Sequence, residues 1–322
     1  MLLTKPKAVL RKLLRPQSNI QTRLPASRPN LLMLTYDSCR YDSAVKAHTP
    51  VLDSYSPIHQ AFSPATYTYP AHHSFFCGIF PYLPEPLPYY NRFIKQLIAL
   101  EGGGDGVKTK DSFVVEKKAD NIVAGLATAG YYTVGSGGAS WFAKPSLRVG
   151  FKDFFFTHNA RAMDQIDLLL DSIQANAPQS LNPTSSNSNN SISTNRRSPQ
   201  NFFGFINFME SHAPFMHYDE PEYNMTARKK MVWPPVYDAA NDEYGDRLHS
   251  AQTKAVEYLD SCLPKLFEKL PDNTIVLLFA DHGEAFGEDG YWGHGVYHPK
   301  VMEIPIAIFR LDRKPLFEDM TP

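Results

Sequence analysis

The chain has 322 residues, 43% of them hydrophobic, and a formal net charge of -1, with a sequence pI of about 6.8. That content supplies a core for one large α/β domain or two ordinary ones and excludes a disordered polymer, and the balanced charge gives no reason to expect a nucleic-acid partner. Three widely spaced cysteines, Cys39, Cys77 and Cys262, exclude a disulfide framework and a CxxC-type zinc site, and fit a reducing, cytoplasmic compartment.

Residues 1 to 28 carry Lys5, Lys7, Arg11, Lys12 and Arg15 among leucines and valine, a short basic amphipathic pattern. It reads as a solvated arm, with peripheral contact to an anionic membrane surface or a targeting remnant as the other readings. No segment has the roughly 18 or more apolar residues expected of a membrane span. Asn30 to Tyr36 is an apolar run expected as the first strand, delivering Asp37 at its carboxyl end. Arg40 is a candidate for an anionic substrate, with an internal pair to Asp42 or Asp37 as its other reading.

Within residues 62 to 78, Pro70 fits the first turn of a helix and Gly78 its end, so Thr68 is expected just before the start. Backbone N–H groups and the positive end of a helix dipole gather there, which suits an anion. Thr68 is therefore either a plain N-cap or a hydroxyl placed for chemistry. Residues 102 to 112 are a glycine-rich loop without the order of a P-loop. Helices are expected over 119–129 and 161–175, the second with Ile166, Leu169, Leu170 and Ile173 inward, and a strand over 131–134. Residues 176 to 200 are a polar, low-complexity insertion.

Phe202 to Phe208 is another apolar strand, with His212 shortly after it, and residues 243 to 269 form a long helix. Ile275 to Ala280 is expected as a central strand buried on both faces, followed directly by Asp281, His282 and Gly283. Asp281 is either a metal ligand or the cap of a following helix, and His282 either a ligand or a donor to a loop carbonyl. His294 follows a loop rich in glycine and acidic residues, and Glu303 to Phe309 is the last strand.

Asp37, Thr68, His212, Asp281, His282 and His294 thus all fall at strand ends or helix starts that one sheet can gather at a single edge. Two carboxylates, an imidazole and an alkoxide are a ligand set for Zn²⁺ or Mn²⁺. The two further imidazoles suit either a second ion or the leaving group.

The order of these motifs resembles the alkaline phosphatase and sulfatase superfamily. The segments DSCRYD, TPVLD, TYPAHHSFFCG, FINFMESHAPF, ADHGEAFGEDGYWGHG and EIPIAIF carry the resemblance, from about Asn30 to Phe309. It implies an alkaline-phosphatase-like α/β fold, a three-layer sandwich with a mostly parallel central sheet. Its catalytic domain is expected over 29–313, ahead of a tail at 314–322. It implies Asp37, Thr68, Asp281 and His282 as metal ligands, Thr68 as the metal-bound nucleophile, His212 as the histidine of an HxP element beside the substrate anion, and His294 as the histidine of an HG element. His294 then has a catalytic role or binds a second metal ion, and Arg40 and His72 are candidates for the substrate.

The departures narrow the reaction. Sulfatases carry a cysteine or serine, matured to formylglycine, in a CxPxR-type element; here that element is Thr68-Tyr69-Pro70-Ala71-His72. Threonine instead resembles the phosphoryl-transfer branch, which includes phosphoethanolamine transferases and lipoteichoic acid synthases. Asp37-Ser38 stands where many sulfatases have two adjacent aspartates, which disfavours calcium and favours Zn²⁺ or Mn²⁺. The expected function is metal-dependent hydrolysis or transfer of a phosphate ester on a small molecule, lipid or sugar. A sulfatase and an inactive metal- or anion-binding relative are the rivals. Aromatic residues in 79–118 and 213–241 (Tyr82, Tyr89, Tyr90, Phe93, Phe215, Tyr218, Trp233) point to an apolar or ring-bearing substrate group. Oligomeric state stays open.

Overall fold

The structure, a computed structural model, describes residues 28–78, 98–100, 113–115, 121–158, 160–177, 200–215, 242–314 and 316. The basic arm, the glycine-rich loop, nearly all of the low-complexity insertion, most of the tail, and Tyr82, Tyr89, Tyr90, Phe93, Tyr218 and Trp233 lie outside the described residues.

In chain order the elements are β1 (Asn30–Tyr36), α1 (Tyr41–Lys46), α2 (Pro50–Asp53), β2 (His59–Phe62), α3 (Thr68–Cys77), β3 (Ile98–Leu100) and β4 (Phe113–Val115). There follow α4 (Ile122–Thr128), β5 (Tyr132–Gly137), β6 (Asp153–Phe156), α5 (Ala162–Asn176), β7 (Phe202–Phe208) and α6 (Asp242–Phe267). The last elements are β8 (Thr274–Ala280), β9 (Ala285–Phe286), β10 (Trp292–Gly293), α7 (Pro299–Met302) and β11 (Glu303–Arg310). Among the described residues no helix is long and apolar enough to cross a membrane.

Seven strands form one sheet in the order β2-β11-β8-β1-β7-β5-β6. All run parallel except β11, which is antiparallel to both β8 and β2. The strands near the middle are apolar throughout because a parallel sheet is covered on both faces. Leu32 and Leu34 of β1, Val276 and Leu278 of β8 and Ile206 of β7 join Ile166 and Leu169 of α5 and Leu259 and Leu263 of α6 in one core. On the opposite face α3 packs Phe75 edge-on against Phe279 and Phe76 against Phe205. Helix, sheet and helix make the expected α/β layers, with a mostly parallel central sheet.

Register positions the site. Tyr36 lies beside Ala280 on one side and Phe208 on the other, so the chain leaves β1, β8 and β7 at one level. Asp37, Asp281 and Met209 follow immediately. Two strands of the seven-stranded sheet went unrecognised in the sequence, β2 and β6, both at its edges, as did the short pairs β3–β4 and β9–β10; β2 has mostly exposed side chains, so it lacks the apolar run that marks a buried strand.

The start of α3 also differs from expectation. Thr68 is the first helical residue and Tyr67, in extended conformation, occupies the cap position with no side-chain cap bond. The Thr68 hydroxyl is therefore not used as an N-cap. The helix ends as expected at Gly78, whose φ of 67° is left-handed backbone that glycine adopts without strain. Helix α4 is shorter than the sequence suggests; Asn121 caps it by accepting from Val123 N and Ala124 N.

Candidate functional site

Asp37 and Asp281 leave adjacent parallel strands, and both are fully buried together with His282. Single ligand atoms from these three residues lie within 4.8 Å of one another. His282 Nε2 is 3.9 Å from Asp37 Oδ1 and 3.6 Å from Asp281 Oδ2. Thr68 closes the group from α3, with Oγ1 3.4 Å from His282 Nε2.

Local backbone holds the carboxylates. No helix follows Asp281, so it is not a cap: Oδ1 accepts from Ser38 N at 3.1 Å and from His282 N at 3.0 Å. Ser38 reaches it with a left-handed φ of 59°, a conformation that costs a non-glycine residue about 1–2 kcal/mol. Gly283 is required by a close approach, since a Cβ there would lie 2.2 Å from Lys300 O. His282 Nδ1 is 2.8 Å from Gly283 O, so donation to a loop carbonyl fixes the ring and turns Nε2 to the site.

The charges oppose one another. Burial, and then the Asp37 charge, push the Asp281 carboxyl well above the usual carboxylate range. Burial, and then His294, push His282 well below the ordinary imidazole value. Asp281 Oδ2 is buried with no hydrogen-bond partner. Two buried carboxylates, one oxygen orphaned and a neutral imidazole nitrogen aimed between them, fit a divalent cation held by oxygen and nitrogen.

The imidazoles form a second layer. The His282 and His294 rings are 4.6 Å apart, and His212 and His294 are 5.4 Å apart. His294 Nδ1 lies 2.8 Å from Glu284 Oε2. Burial works to lower the His294 pKa, but the charge and hydrogen bond of Glu284 outweigh it and raise the value. Glu284, with His282 and His294, makes a second group whose ligand atoms lie within 4.8 Å.

Two candidates for substrate contact, His72 and Arg40, have their polar atoms engaged within the protein. His72 is fully buried in the helix–sheet interface, ringed by Phe75, Phe142 and Phe205. Its Nδ1 meets Thr68 O at 2.8 Å and burial depresses its pKa to about 4. It braces the backbone of Thr68 from within the core. Arg40 makes the internal pair: Nε and Nη2 donate to Asp42 at 2.8 and 2.7 Å, and Nη1 lies 2.6 Å from Glu288. Its guanidinium also covers the Phe286 ring at 4.7 Å. Arg40→Met is expected to cost roughly 2–3 kcal/mol of stability, because charged partners lose their hydrogen bonds. Denaturant unfolding measures that loss, and steady-state kinetics should return an unchanged KM; a raised KM at unchanged stability would restore Arg40 to the substrate.

Four polar residues that support the site escaped the sequence reading. Asn207 Nδ2 donates to Asp37 Oδ2 at 3.1 Å while its Oδ1 accepts from Ala139 N at 3.1 Å. Ser211 Oγ donates to Asp37 O at 2.7 Å. Gln252, from α6, donates to Ser38 O and Ser211 O at 2.9 Å each and accepts from Arg40 N at 3.2 Å, tying the loops after β1 and β7 together. These contacts are more than 40 positions long, beyond any local pattern. Glu284 had a usable signal: it and His294 are placed symmetrically about a glycine-rich turn.

The sulfatase family model matches residues 29–305 of the chain. No curated protein matches the sequence. The fold is similar to the C-terminal periplasmic domain of a phosphoethanolamine transferase from Campylobacter jejuni, at 13% identity and a TM-score of 0.54, over 88% of this chain and 80% of that one. It is similar to a lipoteichoic acid synthase from Listeria monocytogenes at 14% identity and 0.50, over 87% and 65%. A 2-O GAG sulfatase matches at 13% identity and 0.52, over 90% and 66%. The family model spans most of the chain, and the conclusion is that the chain belongs to the sulfatase family.

Proposed function

We propose that the protein is a metal-dependent phosphoric ester hydrolase or transferase in which Thr68 is the nucleophile. The observation that carries the reading is the Thr68 hydroxyl, released from capping and set 3.4 Å from His282 Nε2 beside Asp37 and Asp281. Fold similarity does not choose the ester, because phosphoryl-transfer proteins and a sulfatase resemble the chain about equally. The threonine at position 68 supports phosphate, since the sulfatase element carries a cysteine or serine in that place.

Asp37, Thr68, Asp281 and His282 are the residues that would hold Zn²⁺ or Mn²⁺. The bound cation supplies positive charge that polarises a phosphoryl oxygen and makes a hydroxyl more acidic. The protein does the rest. Thr68 Oγ1 forms a bond to phosphorus as the bond from phosphorus to the ester alcohol breaks, in line across the centre. The hydroxyl proton passes to solvent, and His212 or His294 gives a proton to the departing oxygen. Water or an acceptor alcohol then displaces Thr68, its proton returning to the imidazole while the released Thr68 oxygen takes one back from solvent. The first turn of α3 faces the anionic oxygens with the positive end of its dipole.

The test is a panel of p-nitrophenyl phosphate, bis-p-nitrophenyl phosphate and p-nitrophenyl sulfate, assayed with added Zn²⁺ or Mn²⁺. Chelator-sensitive release from a phosphate ester is the expected result. Release from the sulfate alone would establish the sulfatase reading, and stoichiometric bound metal without turnover would establish an inactive relative.

A further inference from the structure

The β9–β10 hairpin pairs Phe286 with Trp292 and Ala285 with Gly293. Extended by one residue, the same register sets Glu284 directly opposite His294, where side chains share a face and come within contact distance. Trp292 is buried against Tyr244, Phe215 and Phe286, which anchors the hairpin to α6. The other flank is stapled to α7: Gly283 N donates to Val301 O at 2.7 Å and Glu284 N to Lys300 O at 3.0 Å. The Glu284 side chain is only 2% exposed. A carboxylate at that depth needs a hydrogen-bonding partner to offset its lost hydration, which sets this pair apart from an ordinary surface ion pair.

We propose that Glu284 is a positioning residue for His294, and that the pair adapts the site to phosphate esters with poor leaving groups. This rests on the reading in which an imidazole serves the departing oxygen. Nδ1 of His294 donates its hydrogen to Glu284 Oε2, which assigns the chemistry of the ring to Nε2 and holds it beside His282 and His212. Nε2 gives its proton to the alcohol oxygen as the phosphorus–oxygen bond breaks, and recovers one from the water or alcohol that next attacks phosphorus. The Nδ1 hydrogen stays with Glu284 throughout. An aryl oxide with an electron-withdrawing ring departs readily without such help, whereas a basic alkoxide needs the proton. Investment in a buried, register-fixed partner for the ring therefore points to poor leaving groups.

The test uses the full chain loaded with Zn²⁺ and the variants Glu284→Ala and Glu284→Gln. Long-range ¹H–¹⁵N spectra read the histidine tautomer, with the His294 signals identified by their loss in His294→Asn. At a pH where the ring is neutral, the form left after Nε2 has given its proton, the wild type is expected to hold the Nδ1–H tautomer and Glu284→Ala to lose that preference. Glu284→Gln, whose amide oxygen still accepts from Nδ1–H, is expected to keep it. For Glu284→Ala, kcat on phenyl phosphate should fall about 10- to 100-fold, the scale for removing the partner of a site histidine. The fall on p-nitrophenyl phosphate should be smaller, with KM within about twofold. An unchanged tautomer, or equal losses on both esters, would overturn the proposal. A drop in zinc per chain would overturn it too, making Glu284 a metal ligand. The spectrum needs no turnover: a wild type that hydrolyses neither ester would count against the phosphoryl-transfer reading while the tautomer still decides whether Glu284 sets the ring.

Discussion

Thr68→Ala is expected to reduce hydrolysis of phosphate esters by about 10³-fold or more, the scale seen when a nucleophile is removed, corresponding to at least about 4 kcal/mol of barrier. The fold should survive. Thr68 is the first residue of α3 and its hydroxyl makes no cap bond, while alanine is a better helix former, so stability should change by no more than about 1 kcal/mol. His72 should keep its bond, because it accepts its position from the backbone of residue 68 and not from the side chain. Thr68→Ser restores a hydroxyl at the same place and should recover most of the lost rate. Initial rates on p-nitrophenyl phosphate, with thermal unfolding of the same samples, decide the matter. Full activity in Thr68→Ala would remove the residue from the chemistry.

Asp281→Asn is expected to move stability in opposite directions with and without metal. In the cation-free protein the Asp281 carboxyl is raised by burial and by Asp37. A carboxyl whose folded pKa exceeds its unfolded value, near 4, costs nothing below that value and destabilises the fold as pH climbs above it. This group therefore makes the cation-free protein more stable as pH falls from neutrality toward about 4, the reverse of a salt-bridged carboxylate. Asparagine keeps an oxygen for Ser38 N and His282 N but removes the charge, so the cation-free variant should gain about 1–3 kcal/mol at neutral pH. The wild type, at a hundredfold excess of Zn²⁺ over its dissociation constant, should gain about 2.7 kcal/mol that the variant cannot. Calorimetry in chelator and in Zn²⁺, across pH, reads both effects. A variant that still binds Zn²⁺ as tightly as the wild type, or a cation-free variant less stable than its parent, would exclude Asp281 as a ligand.

The strands β1 and β7 were legible to the residue, and β8 to within one, because each is a continuous apolar run ended by polar residues. Their order in the sheet was not legible, since pairing joins positions far apart in the chain, as Leu31 with Phe203 and with Ile275. The same distance hid Asn207, Ser211 and Gln252, whose roles are created by packing and leave no mark on neighbouring residues. His72 and Arg40 show another limit of the sequence. Each has the chemistry of an anion-binding residue, and only the surrounding phenylalanines of one and the flanking carboxylates of the other reveal that their polar atoms are already committed. Thr68 lay one position from its expected place, a small error in a boundary that nonetheless separates a cap from a hydroxyl facing the site.

The position of β1 between β7 and β8 has a consequence for how the molecule is made. The strand that occupies the middle of the finished sheet leaves the ribosome first among the described strands, and its neighbour β8 follows late. Ser38 and Asp281, which meet in the folded protein, are 243 positions apart. At roughly 5–20 residues per second, that separation leaves one side of the nascent strand unpaired for about 10–50 s. Such an edge is a template for aggregation, so production of soluble protein should depend on chaperones that bind extended apolar segments during synthesis.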